Sequence, residues 1–287
     1  MLFLFHGVIP QSSHPVRNYT GKHIELDTFE QFVGVLSLAG TPVSMQQVSD
    51  ACHGLGMLPQ RAFAITFDDG FRNNLTVAAP VLERLAIPAA FYVTSTFIDQ
   101  GASSWTDLLE SAIEQTFAGR VDLPNFGSVR KFATREEKIQ LLDDLRNWVK
   151  TTPSVNPLDV AEKVQRQLGI HRLERDPHLD DKLTWDDLRW FDRHPLFTVG
   201  GHGHTHRVLS FLTPEELEQE LTHSIDGLAA QLGHAVTHFS YPEGLSHCYS
   251  DEVIAALKIR GITCAPTAEP GVNRLRDDPF RLKRMMV

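Results

Sequence analysis

The stretch Ala64-Ile65-Thr66-Phe67-Asp68-Asp69-Gly70 decides the reading of this chain. An apolar run of strand type ends there in two adjacent carboxylates and a glycine. Stability alone gives a strand buried in a parallel sheet or barrel no reason to end in Asp-Asp. Successive side chains on an extended backbone point to opposite faces, so the two carboxylates are expected to do different jobs, one on a metal and one on a proton. A second signal answers far down the chain, Gly201-His202-Gly203-His204-Thr205-His206. The glycines at 200, 201 and 203 argue for a tight loop after a strand rather than a plain helix. Two imidazoles and one carboxylate make three ligands and leave positions open for water and substrate, the pattern of a catalytic divalent-metal site. One ion is expected, zinc first, with cobalt, nickel and iron also suited to N/O ligation.

Outward from these two signals, strand-like runs alternate with helix-like runs, which predicts an α/β fold with a mainly parallel sheet. Leu2–Phe5, Ala62–Phe67, Ala89–Val93, Phe197–Gly200, His238–Tyr241 and Ile262–Ala265 read as strands, and Arg281–Met286 as a last short one. Helices are expected over Thr28–Leu38, Asn74–Leu85, Trp185–Phe191, Pro214–Leu232 and Asp251–Ile259, and residues 8–25 read as a loop. From about 100 to 182 the pattern is almost wholly helical, with a capping-box sequence at Thr134–Glu137. This is expected to be a helical insertion within a single domain of residues 1–287, either padding or a lid or substrate wall. Trp185 and Trp190 have the spacing of core residues, and Trp105 is expected in a core before a glycan cleft.

Composition removes some function classes. A net charge of −9 argues against a nucleic-acid partner, since phosphate binding needs a basic surface. No run of about 18 apolar residues is present to span a membrane. The opening Met1-Leu2-Phe3-Leu4-Phe5 lacks a basic flank and a cleavage site, so a cytoplasmic location is expected. Cys52, Cys248 and Cys264 share no close spacing and read as reduced structural residues.

Thr66-Phe67-Asp68-Asp69-Gly70 resembles the first motif of the polysaccharide deacetylases, carbohydrate esterase family 4, with the NodB-homology domain. His202 through His206 resembles that family's H-x-x-x-H motif, and Phe239-Ser240-Tyr241-Pro242-Glu243-Gly244 sits where the third motif is expected. Leu4–Val8, Leu183–Leu188 and Glu269–Asn273 are similar to stretches of many members. The resemblance implies a distorted (β/α) barrel of fewer than eight strands and metal-dependent removal of acetyl from an N-acetylated sugar. Carried over by position, Asp69, His202 and His206 become the metal ligands and Asp68 the general base for a metal-activated water. The backbone of Tyr241, Pro242 and Glu243 becomes the site for the developing oxyanion.

Two departures from the family pattern stand out. The third motif often begins with an arginine that orients the base, and Ser240 occupies that place here; Arg72 is the nearby candidate to replace it. No histidine follows His247 to act as the usual acid. His6, at the end of the first strand, is the first candidate, His204 the second and a candidate for a supporting role beside the metal, and His247 the third. The leading expectation is a hydrolase that N-deacetylates a surface glycan, its precursor or an oligosaccharide. A cyclic amide or ureide hydrolase of the same superfamily is one alternative, and an inactive glycan-binding relative is the other. Oligomeric state is not legible.

Overall fold

In the computed structural model, which describes residues 1–274 and 276–287, the run Ala62–Phe67 is the middle strand of a parallel sheet. The strands are β1 (Leu2–Phe5), β2 (Gly7–Ile9), β3 (His23–Glu25), β4 (Thr41–Pro42), β5 (Ala62–Phe67), β6 (Ala89–Val93), β7 (Gly119–Val121), β8 (Arg130–Phe132), β9 (Phe197–Gly201) and β10 (Met285–Met286). The sheet runs β10-β1-β5-β6-β9, every pair parallel. Beyond β9, parallel bridges join Gly201 to Phe239, His238 to Cys264 and Pro266 to Leu282, and the chain then reaches β10 beside β1. The pairing therefore returns to its start, which gives the expected α/β architecture the form of a distorted barrel. The strands expected at His238–Tyr241 and Ile262–Ala265 survive only as these single bridges, too short to make regular ladders.

The chain divides into two compact units: Met1–Pro10, His23–Ala102 and Asp181–Val287 in the first, Gln11–Lys22 and Ser103–Asp180 in the second. In the first, strands buried on both faces pack against helices on the outside, as parallel strands require. Phe5, Phe67, Phe91 and Phe191 stack in a row with ring centroids 5.4, 5.1 and 4.1 Å apart. The helix Leu26–Ala39 covers this row with Phe29 and Val33, both fully buried. The expected loop over residues 8–25 is bounded by strands: β2 and β3 pair in parallel through Val8 and Ile24. Each has three residues, too few for a visible alternation. Trp185 is half-buried and donates its indole N–H to Asp99 at 3.0 Å. Trp190 is exposed, stacked on His194, and so does not join the core as expected.

The second unit is not purely helical. β7 and β8 form a small antiparallel pair that the sequence pattern hid, since only Val121 and Phe132 in it are buried. The helices Trp105–Gln115, Arg135–Thr151 and Pro157–Gln167 enclose a core of its own, with Trp105, Leu109, Leu142, Leu145 and Val164 inside. Segment 11–22 is held by one face of the helix Trp105–Gln115. Glu110 accepts the Asn18 N–H at 2.9 Å, Glu114 accepts those of Val16 and Arg17 at 2.7 Å, and Asp107 pairs with Lys22. His14 bridges Glu114 and Asp176 at 2.6 and 2.8 Å. No described helix is long and apolar enough to cross a membrane.

Two outcomes are expected. Truncating Phe67 to Ala empties the middle of the aromatic row and costs about 3–5 kcal/mol, read from denaturant unfolding. Burial lowers the pKa of His14, but its bonds to Glu114 and Asp176 outweigh that and raise it above the ordinary 6.5. The stability it confers is complete below pH 6.5 and fades as pH rises through the raised value. His14→Ala is therefore expected to lose more stability at pH 6 than at pH 8.5, and equal losses would remove the linkage.

Candidate metal centre

Parallel strands deliver their carboxyl ends to one face, and register sets which ends meet. Phe5 pairs with Phe67, so His6 lies beside Asp68, whose N–H donates to the Phe5 carbonyl at 2.9 Å. Val93 pairs with Gly201, and the His202 N–H donates to Val93 at 2.8 Å. The ends of β1, β5, β6 and β9 thus bring His6, Asp68, Asp69, His202 and His206 to one place.

The two carboxylates do not point apart as strand alternation predicts. Asp69 has φ of +77°, a left-handed conformation uncommon for a residue with a Cβ. The reversal turns its side chain back, so that Asp68 Oδ2 and Asp69 Oδ1 lie 3.9 and 3.5 Å from the same atom, His202 Nε2. His206, with φ of +58°, brings its Nε2 to 3.2 Å from Asp69 Oδ1. Glu243, with φ of +60°, is a third candidate-site residue in this conformation, and strained backbone is common at functional sites.

The donor set fits a divalent cation. Asp69 Oδ1 is buried and receives no hydrogen bond. Its distances to the two imidazole nitrogens match the separation of roughly 3.3 Å expected between ligands about 2.0–2.1 Å from a tetrahedral ion. The three ligand atoms lie within 4.8 Å of one another. His202 Nδ1 is 2.8 Å from the Ser240 carbonyl, which only accepts, so Nδ1 carries a proton and Nε2 is the nitrogen turned towards Asp69. Burial raises the pKa of Asp69, but the neighbouring imidazoles override it and hold the group well below the usual carboxylate range.

Asp68 is held by a group that sequence reasoning missed. Arg284, fully buried, grips it with two parallel bonds, Nη1 to Oδ1 at 2.9 Å and Nη2 to Oδ2 at 2.7 Å. The same guanidinium donates to Thr66 Oγ1, Ser240 Oγ and the Thr267 carbonyl at 3.0, 2.8 and 2.6 Å. Ser240 Oγ in turn donates to Asp68 Oδ2 at 3.1 Å. Burial pushes the Asp68 pKa up, but Arg284 and then His202 pull it below the ordinary range. Arg72, the expected orienting group, is exposed, with its backbone N–H on Asp181, and Arg284 stands in its place. One signal was available: Leu282 and Arg284 share parity on the final strand-like run, and an arginine on an inward-facing parity needs a buried acid.

The remaining candidates separate. His6 is close enough to Asp68 and Asp69 that a charge on it lowers both their pKa values. His204 turns away from the carboxylates: its Nδ1 meets Ser95 Oγ at 2.8 Å and its ring stacks on His223 at 4.7 Å. The segment Tyr241–Glu243 lies against the metal loop, since a Cβ added to Gly203 would come within 3.0 Å of Pro242. Tyr241 is buried and donates its hydroxyl to the Phe280 carbonyl at 3.0 Å. A cavity of about 760 Å³ lined by Leu2, Leu36, Val43, Val48 and Phe63 shares no residue with this site and opens by the opposite, N-terminal ends of β1 and β5.

The comparisons with known proteins bear on the same residues. A family model described as polysaccharide deacetylase matches residues 56–265, which span both the Asp-Asp run and the histidine loop. The chain belongs to the polysaccharide deacetylase family. This is the family that the motifs resemble. The poly-beta-1,6-N-acetyl-D-glucosamine N-deacetylase of Escherichia coli K12 is 27% identical over 88 residues, 31% of this chain. That match spans only 13% of the relative's own length. Among solved structures, the Streptococcus pyogenes deacetylase PplD in complex with acetate superposes with a TM-score of 0.64 at 14% identity, covering 100% of this chain and 91% of that one. IcaB from Ammonifex degensii gives 0.61 at 19% identity, covering 100% and 90%. At such identities these likenesses establish the fold.

Two measurements check the site. Elemental analysis is expected to find about one divalent ion per wild-type chain and little in His206→Ala. Arg284→Met leaves Asp68 charged, buried and uncompensated, so unfolding should show a loss of about 3–5 kcal/mol.

Proposed function

We propose that this deacetylase removes acetyl from an N-acetylated sugar of a surface glycan, its precursor or an oligosaccharide, using a divalent metal held by Asp69, His202 and His206. The observation that carries the reading is an ionised, buried Asp68, clamped by Arg284 and 3.9 Å from a ligand imidazole. When bound, the ion polarises the amide carbonyl and lowers the pKa of water. Asp68 accepts the proton that the attacking water loses, and Arg284 with Ser240 keeps its carboxylate in a fixed plane while it does so. The backbone of Tyr241–Glu243 lines the place of the carbonyl oxygen as charge gathers on it. His6, beside both aspartates, supplies the proton that the departing amine takes up. His204 is disfavoured for that task because its ring faces Ser95 and His223.

A third motif without its arginine and the lack of a final histidine are what a scaffold that binds glycans without turning them over would show. Arg284, just before β10, supplies a guanidinium to Asp68 in its stead, which weakens the first of these supports. The name of the Escherichia coli relative makes β-1,6-linked N-acetylglucosamine oligomers the first substrate to assay, with zinc as the first metal.

Acetate release from these oligomers at saturating metal tests the reading. Asp68→Asn is expected to lower kcat by about 10²–10⁴-fold with metal content unchanged. Activity that survives the substitution removes Asp68 as the base. A wild-type chain that loads metal and releases no acetate from any N-acetylated saccharide returns the scaffold reading.

A further inference from the structure

The histidine loop is an awkward piece of backbone. Residues 202–206 follow a strand and contain two left-handed positions, Gly203 at φ +77° and His206 at φ +58°. Short polar loops of this kind need their N–H and C=O groups satisfied by fixed partners, or the two imidazoles will not stay at one separation. On one side the partners come from the end of β6 and the helix after it. Thr94 Oγ1 donates to the His202 carbonyl at 3.0 Å, Ser95 N–H to Gly203 at 3.2 Å, and Thr96 donates its N–H and hydroxyl to His204 at 3.1 and 2.7 Å. These groups satisfy the carbonyls.

The N–H groups on the other side converge on one carboxylate. Glu220, in the helix Pro214–Leu221 and buried to 6% exposure, accepts the N–H of His204 and of Thr205 on Oε1, both at 2.7 Å. Its Oε2 accepts the Thr205 hydroxyl at 2.8 Å. Three donors of a five-residue loop thus end on a single side chain that touches neither the metal ligand atoms nor the base. A Cβ on Gly203 would come within 3.1 Å of Glu220 Oε1, so glycine is what lets the carboxylate lie this close to the backbone.

From this geometry we infer that Glu220 is a positioning residue for the metal centre: it fixes the turn that sets the distance from His202 to His206, and so sets metal affinity. The inference rests on the metal-site reading given above. Its chemistry is that of an acceptor at a fixed reach, and this separates three substitutions. Glu220→Gln keeps an oxygen for both N–H groups and an amide that donates to the Thr205 hydroxyl. Glu220→Asp keeps the charge but falls one methylene short. Glu220→Ala removes every acceptor.

The experiment is a zinc competition titration against a chromophoric chelator at 20 °C, with circular dichroism and the Tm of each metal-free protein measured in parallel. Glu220→Ala and Glu220→Asp are expected to bind zinc about 10- to 100-fold more weakly while folded, and Glu220→Gln to stay within about threefold of wild type. If Glu220→Ala does not fold, the Asp and Gln pair decides the matter. Wild-type affinity in a folded Glu220→Asp or Glu220→Ala variant, with only the metal-free Tm lowered, would overturn the inference and leave Glu220 a stabilising residue. A wild-type chain that binds no zinc, cobalt or nickel overturns the metal-site reading itself, and the inference falls with it.

Discussion

The buried pair between Arg284 and Asp68 ties the residue just before β10 to the residue just after β5. Moving two charges out of water is expensive, and their attraction offsets that cost only if the remaining donors and acceptors are also satisfied. Here they are: the guanidinium reaches Asp68, Thr66, Ser240 and Thr267, groups drawn from three separate parts of the sequence. Those groups meet only when the parallel pairing has come round from β5 through Ser240 and Thr267 to β10. The pair is therefore both a check on closure of the barrel and the device that keeps the Asp68 carboxylate ionised and aligned.

Much of this was legible beforehand because it rests on local rules. The apolar run ahead of Asp68 is a strand by composition, and the paired histidines among glycines are a loop. Two carboxyl-end signals on parallel strands must share a face, so the meeting of Asp69, His202 and His206 followed from topology. What stayed hidden depends on distant partners. Arg284 lies 216 positions from Asp68, and its parity with Leu282 on a short run beside a surface-like Met-Met sequence is a faint sign of burial that names no partner. The direction of Asp69 was also out of reach, because alternation assumes an extended backbone and a left-handed residue abolishes it. Strands of two or three residues, such as β2, β3, β7 and β8, are too short for any period to register.

The second unit shows a different economy of construction. Its helix Trp105–Gln115 spends one face on hydrophobic packing and another, through Asp107, Glu110 and Glu114, on holding the segment 11–22. That segment leaves the first unit between β2 and β3, so its order is set by carboxylates that lie some 90 residues further along the chain. A helical pattern reveals such a face as merely polar, and its role emerges only when the loop it binds is known.

Three residues of the site, Asp69, His206 and Glu243, carry side chains in a backbone region where glycine is at ease. Each left-handed placement of a residue with a Cβ costs on the order of 1–2 kcal/mol. Any procedure that optimises this protein for thermal tolerance alone, in a library or through a designed consensus, will be drawn to replace these side chains with glycine. The first two replacements would remove two of the three groups proposed to hold the metal. Hardening the protein without erasing its chemistry means treating these positions as untouchable and looking for gains elsewhere, such as the exposed apolar side chains of Leu38 and Met57.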